Sequence, residues 1–341
     1  MKYARLGPSG TKVSQFALGS WHLPGSGARD RWGIEEVDVG ETAKTVKKAI
    51  DAGINFIDTA NVYHGRMQNA DPQHAGNSER VLGEVLKGYD RESLVIATKV
   101  RGSLASWPNG EGLSRKHILW QARESLKRLQ VAYLDLYQIH WPDPDTPKLE
   151  TLKALNHLVD QGLVRYIGSS NHTGSEVEEF MQLANEYRLD GFVTLQELYN
   201  LIERSVERDR FAIAKKYGLA VMAYSPIAQG VLSGKYLDGV PKGTRASYAA
   251  DIATNYFNAQ TIESVRGLNE MAKHKGVSLP QFALAWLLHR QDELGMTIIP
   301  LLGVTNSKYL EESLGALDVK LSPDEIRDAE GIGMKASVLP W

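Results

Sequence analysis

The sequence has no cysteine among its 341 residues. Disulfides and thiolate metal ligands are therefore excluded, and this composition fits a reducing compartment. No apolar run approaches the roughly 18 residues of a membrane span. The first seven residues also lack an apolar stretch of signal-peptide length. We therefore expect a soluble, cytoplasmic protein with no membrane partner.

The sequence also has no large excess of either charge. Its 39 basic and 41 acidic residues leave a formal net charge of -2, which gives no strong attraction to nucleic acid. No H-E-x-x-H motif or carboxylate cluster accompanies His64 and His74, so we expect no metal site. The G-x-G-x-x-G fingerprint and a Tyr-x-x-x-Lys pair are absent as well. Their absence disfavours a doubly wound dinucleotide domain and a short-chain dehydrogenase.

Short apolar runs alternate with longer segments of helical period along the chain. The runs are too continuously apolar to face water, which predicts buried parallel strands with helices outside them. Strands are predicted at 16–18, 55–58, 94–98, 134–140, 164–168, 192–196, 219–224 and 297–302. Helices are predicted at 42–52, 78–86, 113–129, 149–160, 176–187, 208–217, 261–274, 280–290 and 308–316. Eight such units without a linker predict one (β/α)8 TIM barrel domain over residues 1–341, preceded by an N-terminal hairpin.

Three of the predicted loops are long: residues 23–40, 65–77 and 225–255. Each follows a strand, so each falls on the C-terminal face of the barrel, where the active sites of TIM barrels are built. Loops of this length are usually functional or mobile. The apolar tail 338–341 either docks on the barrel or reaches over this face, and the sequence leaves both alternatives open.

Four residues with chemically useful side chains lie at or just past predicted strand ends: Asp58, Tyr63, Lys99 and His140. Each has an ordinary structural explanation. The aspartate could cap a helix, the tyrosine could pack a loop, the lysine could reach the surface, and the histidine could be a hydrogen-bonded core residue. In a parallel barrel, however, these strand ends open onto one face, so the four side chains are expected to converge.

Together the four side chains suit the reduction of a carbonyl group. Such a reaction needs a hydride donor and an acid that protonates the developing alkoxide. A tyrosine with a pKa of about 10 is a poor acid near neutrality unless a cation stabilises its phenolate. Lys99 can supply that cation, Asp58 can hold the ammonium, and His140 can orient the substrate oxygen.

The segments NFIDTANVY, IATKV, LYQIH and IGSSN occur in this order over nearly the whole chain. In the order of these four segments the sequence resembles the aldo-keto reductases. The opening YARLGPSGTKVSQFALGSW and the later AYSPIAQGVLSGKY are most similar to the branch that includes potassium-channel β-subunits and bacterial general reductases. The resemblance implies that Asp58, Tyr63, Lys99 and His140 form a catalytic tetrad with Tyr63 as the general acid.

The resemblance also implies a nicotinamide cofactor lying across the mouth of the barrel. Ser170, Asn171 and Gln196 match residues that bind the carboxamide, and Tyr224 matches the aromatic ring that stacks on the nicotinamide. The further residues that we expect to bind the cofactor are Ser20 and Trp21, the pyrophosphate-loop residues Ser225, Ile227, Gln229, Gly230, Leu232 and Lys235, and the adenosine-phosphate residues Gly303, Thr305, Asn306 and Lys308.

The residues near the adenine bear on the choice between NADP(H) and NAD(H). Relatives carry a glutamine and an asparagine near the adenine, where this chain has Tyr309 and Ser313. No arginine lies between residues 301 and 318 to hold a 2′-phosphate in a bidentate fashion. The resemblance implies NADP(H), with NAD(H) as the alternative.

The expected substrate is a small, partly apolar carbonyl compound, bound between Trp21, Trp107 and Trp141. These rings could also be ordinary loop packing. The leading hypothesis is therefore an NAD(P)H-dependent oxidoreductase that reduces aldehydes or ketones to alcohols. The alternative is a cofactor-binding regulatory subunit with slow turnover and a protein partner. A homo-oligomer is compatible with the sequence.

Overall fold

The computed structural model describes residues 1–66, 74–247, 250–303 and 305–338. Most of the predicted loop 65–77 and the end of the tail 338–341 lie outside the described residues. The strands are β1 (Tyr3–Arg5), β2 (Lys12–Ser14), β3 (Ala17–Gly19), β4 (Gly25–Arg29), β5 (Glu35–Val37), β6 (Phe56–Asp58), β7 (Val95–Val100), β8 (Leu134–Ile139), β9 (Val164–Ser170), β10 (Phe192–Leu198), β11 (Ala220–Tyr224) and β12 (Ile298–Gly303).

Eight of these strands form a closed barrel in the order β3-β6-β7-β8-β9-β10-β11-β12. Every neighbouring pair in the barrel is parallel. The helices are α1 (Val39–Asp51), α2 (Asn77–Leu86), α3 (Arg115–Leu129), α4 (Lys148–Asp160), α5 (Gly174–Tyr187), α6 (Arg210–Tyr217), α7 (Ala250–Tyr256), α8 (Ala259–Lys275), α9 (Leu279–Leu294), α10 (Ser307–Leu314) and α11 (Pro323–Gly333). The structure confirms the predicted (β/α)8 TIM barrel.

An antiparallel hairpin, β1 with β2, precedes the first barrel strand as predicted. Its apolar residues Leu6 and Val13 are fully buried and pack in one cluster with barrel residues such as Val193. Gly7 has φ +59°, and a Cβ there would lie 2.1 Å from the carbonyl oxygen of Val193. The hairpin therefore packs closely against the amino-terminal end of the barrel, opposite the face expected to carry the site.

Three features of the fold were not predicted. Within the predicted loop 23–40, β4 and β5 form an antiparallel hairpin, and all five residues of β4 are exposed, so they give no apolar pattern. Helix α7 begins within the predicted loop 225–255 and ends one residue after it. Helix α11 follows the last predicted unit, and its start does carry a sequence signal, because Ser322 and Glu325 form a capping box around Pro323. None of the helices described is long and apolar enough to span a bilayer.

The packing of α2 against α3 gives a direct test of the fold. Gly83 lies in α2, and a Cβ there would lie 2.3 Å from the backbone carbonyl oxygen of Arg128. Because backbone cannot yield as a flexible side chain can, Gly83→Ala should destabilise the protein by about 1–3 kcal/mol in urea unfolding. Gly331 in α11 has no atom within 4 Å of the same position. Gly331→Ala is the matched control and should be neutral or stabilising by up to about 1 kcal/mol. Equal effects of the two substitutions would contradict this close contact.

Candidate active site

Adjacent barrel strands bring the four predicted side chains together. Asp58 is the last residue of β6, Lys99 lies near the end of β7, and His140 directly follows β8. Tyr63 lies in the loop after β6, where its carbonyl accepts a hydrogen bond from the backbone N–H of Ser78 at the start of α2. The predicted convergence at the carboxyl ends of the strands is therefore observed.

Lys99 and Asp58 form a buried ion pair. The Nζ of Lys99 donates to Oδ2 of Asp58 over 2.6 Å and to the carbonyl of Thr59 over 2.9 Å. The side chain of Lys99 is fully buried and that of Asp58 is 2% exposed. Burial lowers the pKa of Lys99, but the charge of Asp58 and the oxygen of Tyr63 outweigh it, so the pKa is raised. The ammonium therefore stays charged inside the barrel.

The second carboxylate oxygen of Asp58 accepts two further hydrogen bonds. Gln196 donates from Nε2 over 2.9 Å and Gln138 donates from Nε2 over 3.2 Å, and both glutamines are buried. Burial raises the pKa of Asp58, and Lys99 together with these two amides opposes the rise. Sequence reasoning missed Gln138, although a polar residue two positions before His140 faces the same side of a strand as the histidine.

The hydroxyl of Tyr63 lies between a cation and an imidazole. Lys99 Nζ donates to this oxygen over 3.2 Å, and Nε2 of His140 lies 3.4 Å from it. Burial raises the pKa of Tyr63, and the charge of Lys99 opposes that rise. The phenol is thus protonated at neutral pH, with a cation in contact with its oxygen to stabilise the phenolate that proton loss would create.

His140 is neutral in this environment. Burial and the charge of Lys99 hold its pKa well below the usual range. Its Nδ1 has no hydrogen-bond partner among the described residues, and Nε2 faces Tyr63. Asn171 donates to its backbone carbonyl over 2.9 Å, which helps to fix the residue. A neutral imidazole can donate a hydrogen bond to a substrate oxygen and adds no second positive charge beside Lys99.

The site opens into a cavity of about 950 Å³ on the C-terminal face of the barrel. This volume lies at the upper end of the range for pockets that hold small molecules and cofactors. Asp58, Tyr63 and His140 lie in its wall, whereas Lys99 lies beneath it. The predicted residues that also line the cavity are Ser20, Trp21, Trp141, Ser170, Asn171, Gln196, Tyr224, Ser225, Ile227, Gln229, Gly230, Lys235, Gly303, Thr305 and Asn306.

One wall of the cavity is a network of polar side chains at the carboxyl ends of β9, β10 and β11. Tyr224 donates to Oδ1 of Asn171 over 2.8 Å, and Asn171 donates to Oγ of Ser170 over 2.9 Å. Ser170 in turn donates to the backbone carbonyl of Gln196 over 2.8 Å. Because Nε2 of Gln196 is bonded to Asp58, the amide oxygen is the atom that Gln196 can offer to a carboxamide. These fixed groups fit a nicotinamide.

The loop after β11 contains several residues with left-handed backbone conformation. Ser225, Ala228, Gln229 and Gly230 all have φ between +48° and +95°. The N–H groups of Ala228 and Gly230 are bonded inside the loop to the carbonyls of Ser225 and Ile227. Lys235 lies in the cavity wall, so the loop offers a cation to the pyrophosphate of a dinucleotide.

Three predicted residues lie elsewhere. Among the described residues, the cavity lining does not include Leu232, Lys308 or Trp107. The N–H of Leu232 is bonded within the loop to the carbonyl of Ile227, 3.2 Å away. Lys308 is exposed at the start of α10. Trp107 is 61% exposed and its ring lies 6.1 Å from that of Trp120, so it packs outside the cavity.

The cavity also contains residues that sequence reasoning did not select. His22 is buried beside Trp21, with ring centroids 4.3 Å apart. The guanidinium of Arg245 lies 4.6 Å from the Trp21 ring, and Arg66 donates to the carbonyl of Leu23 over 2.7 Å. The sequence signal for His22 is its position next to Trp21. Arg66 and Arg245 lie in loops whose sequences show no pattern. No group of three or more His, Asp or Glu in the described ranges is arranged to hold a metal ion.

The closed parallel barrel and the polar cavity at its C-terminal face define a TIM-barrel protein with a site at the usual end of the fold. The sequence model described as the aldo/keto reductase family matches residues 15–333, and the chain belongs to this family. Members of the family are oxidoreductases that generally use NADP(H) and act on small carbonyl compounds.

Two similar proteins extend the comparison. A protein of Schizosaccharomyces pombe described as a voltage-gated potassium channel subunit beta is 36% identical over 338 residues, covering 96% of this chain and 92% of the relative. A protein of Oryza sativa subsp. japonica with the same description is 34% identical over 340 residues, covering 97% of this chain and 96% of the relative. The similarity thus extends over nearly the whole of all three chains.

The buried ion pair predicts a pH-dependent loss of stability when its cation is removed. Lys99→Met leaves the carboxyl of Asp58 buried without its counter-ion, so its pKa, already raised by burial, rises further. Removing one partner of a buried pair typically costs about 3–5 kcal/mol. A carboxyl whose pKa is higher in the folded than in the unfolded protein stabilises the fold at pH values below its unfolded pKa of about 3.9. This stabilisation is lost as the pH rises through the pKa of the folded state. The loss of stability in Lys99→Met should therefore be larger at about pH 8 than at about pH 5.

Urea unfolding of the parent and of Lys99→Met at both pH values measures this effect. The double variant Lys99→Met with Asp58→Asn is the control, because it has no buried carboxyl left to titrate. A loss of stability in Lys99→Met that is the same at both pH values would show that Asp58 does not carry the charge assigned to it.

Proposed function

We propose that the protein is an NADPH-dependent carbonyl reductase that converts aldehydes or ketones to alcohols, with Tyr63 as the general acid. The observation that carries the proposal is the placement of the Tyr63 hydroxyl. It lies in the wall of the cavity, 3.2 Å from the ammonium of Lys99 and 3.4 Å from the imidazole of His140. A proton donor, a stabilising cation and a neutral hydrogen-bonding group thus meet at one point.

Each side chain has one role in this proposal. NADPH, when bound, supplies the hydride that reduces the carbonyl carbon. Tyr63 gives its proton to the carbonyl oxygen as negative charge develops there. Lys99 stabilises the phenolate that this transfer leaves, and Asp58 holds the ammonium in place. His140 orients the substrate oxygen, and solvent returns a proton to Tyr63 before the next cycle.

The cofactor would be held by residues of the described cavity wall. Ser170, Asn171 and Gln196 would bind the carboxamide, and the ring of Tyr224 would stack on the nicotinamide. The left-handed loop from Ser225 to Lys235 would take the pyrophosphate. Thr305 and Asn306 would lie at the adenosine end. Trp21 and Trp141 would enclose the substrate above Tyr63, which favours carbonyl compounds with an apolar part.

Removing the acid should separate chemistry from binding. Tyr63→Phe keeps the ring but loses the proton, so carbonyl reduction should fall by about 10²–10⁴-fold. The dissociation constant of NADPH should stay within about twofold of the parent, because a phenol is not needed to hold the cofactor. NADPH oxidation with an aromatic aldehyde and fluorescence titration of NADPH measure the two quantities. A variant that turns over at the parent rate would refute the assignment of Tyr63.

Membership of the family favours NADPH, and the adenosine end of the cavity limits the expected preference over NADH to a modest one. Among the described residues, those that line it are Thr305, Asn306, Tyr309, Glu312 and Ser313. None of these is a cation and Glu312 is an anion, so the exposed Lys308 next to them is the nearest positive charge in this segment of the sequence. An exposed lysine contributes about 1 kcal/mol or less to a charged contact. Lys308→Ala should therefore weaken NADPH by several-fold or less and leave NADH unchanged in fluorescence titrations. A parent that prefers NADH would contradict this interpretation.

A second candidate function rests on the two relatives, both described as potassium channel β-subunits. On this alternative the chain is a nicotinamide-binding regulatory subunit with slow turnover and a protein partner. The two functions differ in how they handle the cofactor. A reductase should cycle with a panel of aldehydes, ketones and sugars, and should exchange NADP⁺ for NADPH freely. A regulatory subunit should be purified with tightly held nucleotide and should oxidise NADPH slowly with every carbonyl compound in the panel.

A further inference from the structure

We propose that Gln138 is a positioning residue for the hydride-transfer site, acting through Asp58 on Lys99. The inference rests on the proposed reductase function and deepens it. Gln138 lies in β8 and is fully buried inside the barrel, and the cavity lining among the described residues does not include it. It therefore acts on the reaction through its neighbours alone.

The orientation of the Gln138 amide is fixed by its partners. The carboxylate of Asp58 can only accept hydrogen bonds, so the group that faces Oδ1 at 3.2 Å must be the amide nitrogen. The amide oxygen then accepts from the hydroxyl of Thr194, 3.3 Å away. The amide thus links a hydroxyl of β10 to the carboxylate at the end of β6, across the interior of the barrel.

The barrel makes room for this side chain. Gly168 in β9 is paired in register with Gln138 on one side and Thr194 on the other. A Cβ at Gly168 would lie 2.2 Å from Oγ1 of Thr194 and 3.1 Å from Cγ of Gln138. Because glycine occupies the strand between the two partners, the amide oxygen of Gln138 can reach Thr194 across it while the amide nitrogen faces Asp58.

The two carboxylate oxygens of Asp58 have different hydrogen-bond partners. Oδ1 accepts from the amides of Gln138 and Gln196, and Oδ2 accepts from Lys99 at 2.6 Å. Two amide donors on one oxygen prevent the carboxylate from rotating, so Oδ2 stays directed at Lys99. Lys99 in turn stays within 3.2 Å of the Tyr63 hydroxyl. Without Gln138 the carboxylate keeps Gln196 as its one amide donor on Oδ1, so the orientation of the carboxylate and the position of the ammonium are less closely fixed.

The test replaces Gln138 by methionine, which has similar length and no amide. In Gln138→Met, kcat for aldehyde reduction should fall roughly tenfold, because small displacements of catalytic groups have effects of this order or larger. KM and the dissociation constant of NADPH should stay within about twofold. Gln121→Met is the matched control. Gln121 is also fully buried, but it bonds Asn61 and Arg128 outside the barrel interior, so its replacement should leave kcat near the parent value.

A second readout does not depend on activity. In protein labelled with ¹⁵N-lysine, the Nζ resonance of Lys99 is assigned by its absence in Lys99→Met. That resonance should shift or broaden in Gln138→Met and stay in place in Gln121→Met. If Gln138→Met does not fold, Thr194→Val replaces it. This variant removes the hydroxyl that supports the amide oxygen and should cause a smaller change of the same resonance.

The outcomes separate this proposal from the proposed function. An unchanged Lys99 resonance in Gln138→Met, or an equal change in Gln121→Met, would overturn the positioning role. A shifted resonance with unchanged kcat would overturn it too. If the parent reduces no carbonyl compound, the reductase function is wrong, and the resonance still decides whether Gln138 fixes Lys99.

Discussion

The structure of the site depends on one interaction, the ion pair between Lys99 and Asp58 inside the barrel. Both side chains are almost completely removed from solvent, and two buried charges are stable only when they are well paired and their remaining hydrogen-bonding capacity is satisfied. Here the ammonium has three acceptors, and the carboxylate has three donors. The polar interior near the C-terminal face follows from the need to satisfy this pair.

The barrel explains how such a pair is built from distant parts of the sequence. Parallel strands place all their carboxyl ends at one face, so residues from β6, β7, β8 and β10 meet although up to 138 positions separate them. The opposite end is closed by apolar residues of the N-terminal hairpin. The fold thus separates an apolar layer that stabilises the barrel from a polar layer that carries the chemistry.

Much of this arrangement was predictable from the sequence, because strand ends in a parallel barrel have a known direction. The alternation of apolar runs predicted the barrel, and the four residues at strand ends predicted their own convergence. Strand periodicity places Gln138 on the same side of β8 as His140, but it does not give the partner of Gln138. The hydrogen bond from Gln138 to Asp58 depends on side-chain geometry between β8 and β6 that no local pattern encodes. The hairpin of β4 and β5 was missed because exposed residues without alternation give no strand signal. The sequence predicted that Trp107 lines the substrate pocket, but an aromatic residue in a loop can face the cavity or a neighbouring helix. In the structure Trp107 packs against Trp120.

The central claim is that the proton for carbonyl reduction comes from a buried, protonated Tyr63 and not from solvent. The most direct measurement is the single-turnover rate of aldehyde reduction by protein preloaded with NADPH, recorded from about pH 6 to 9. Since burial raises the pKa of Tyr63 above its ordinary value of about 10, the acid stays protonated throughout this range. The rate is therefore expected not to change with pH. A rate that falls about tenfold for each pH unit would show that solvent protons drive the reaction, and it would contradict the account.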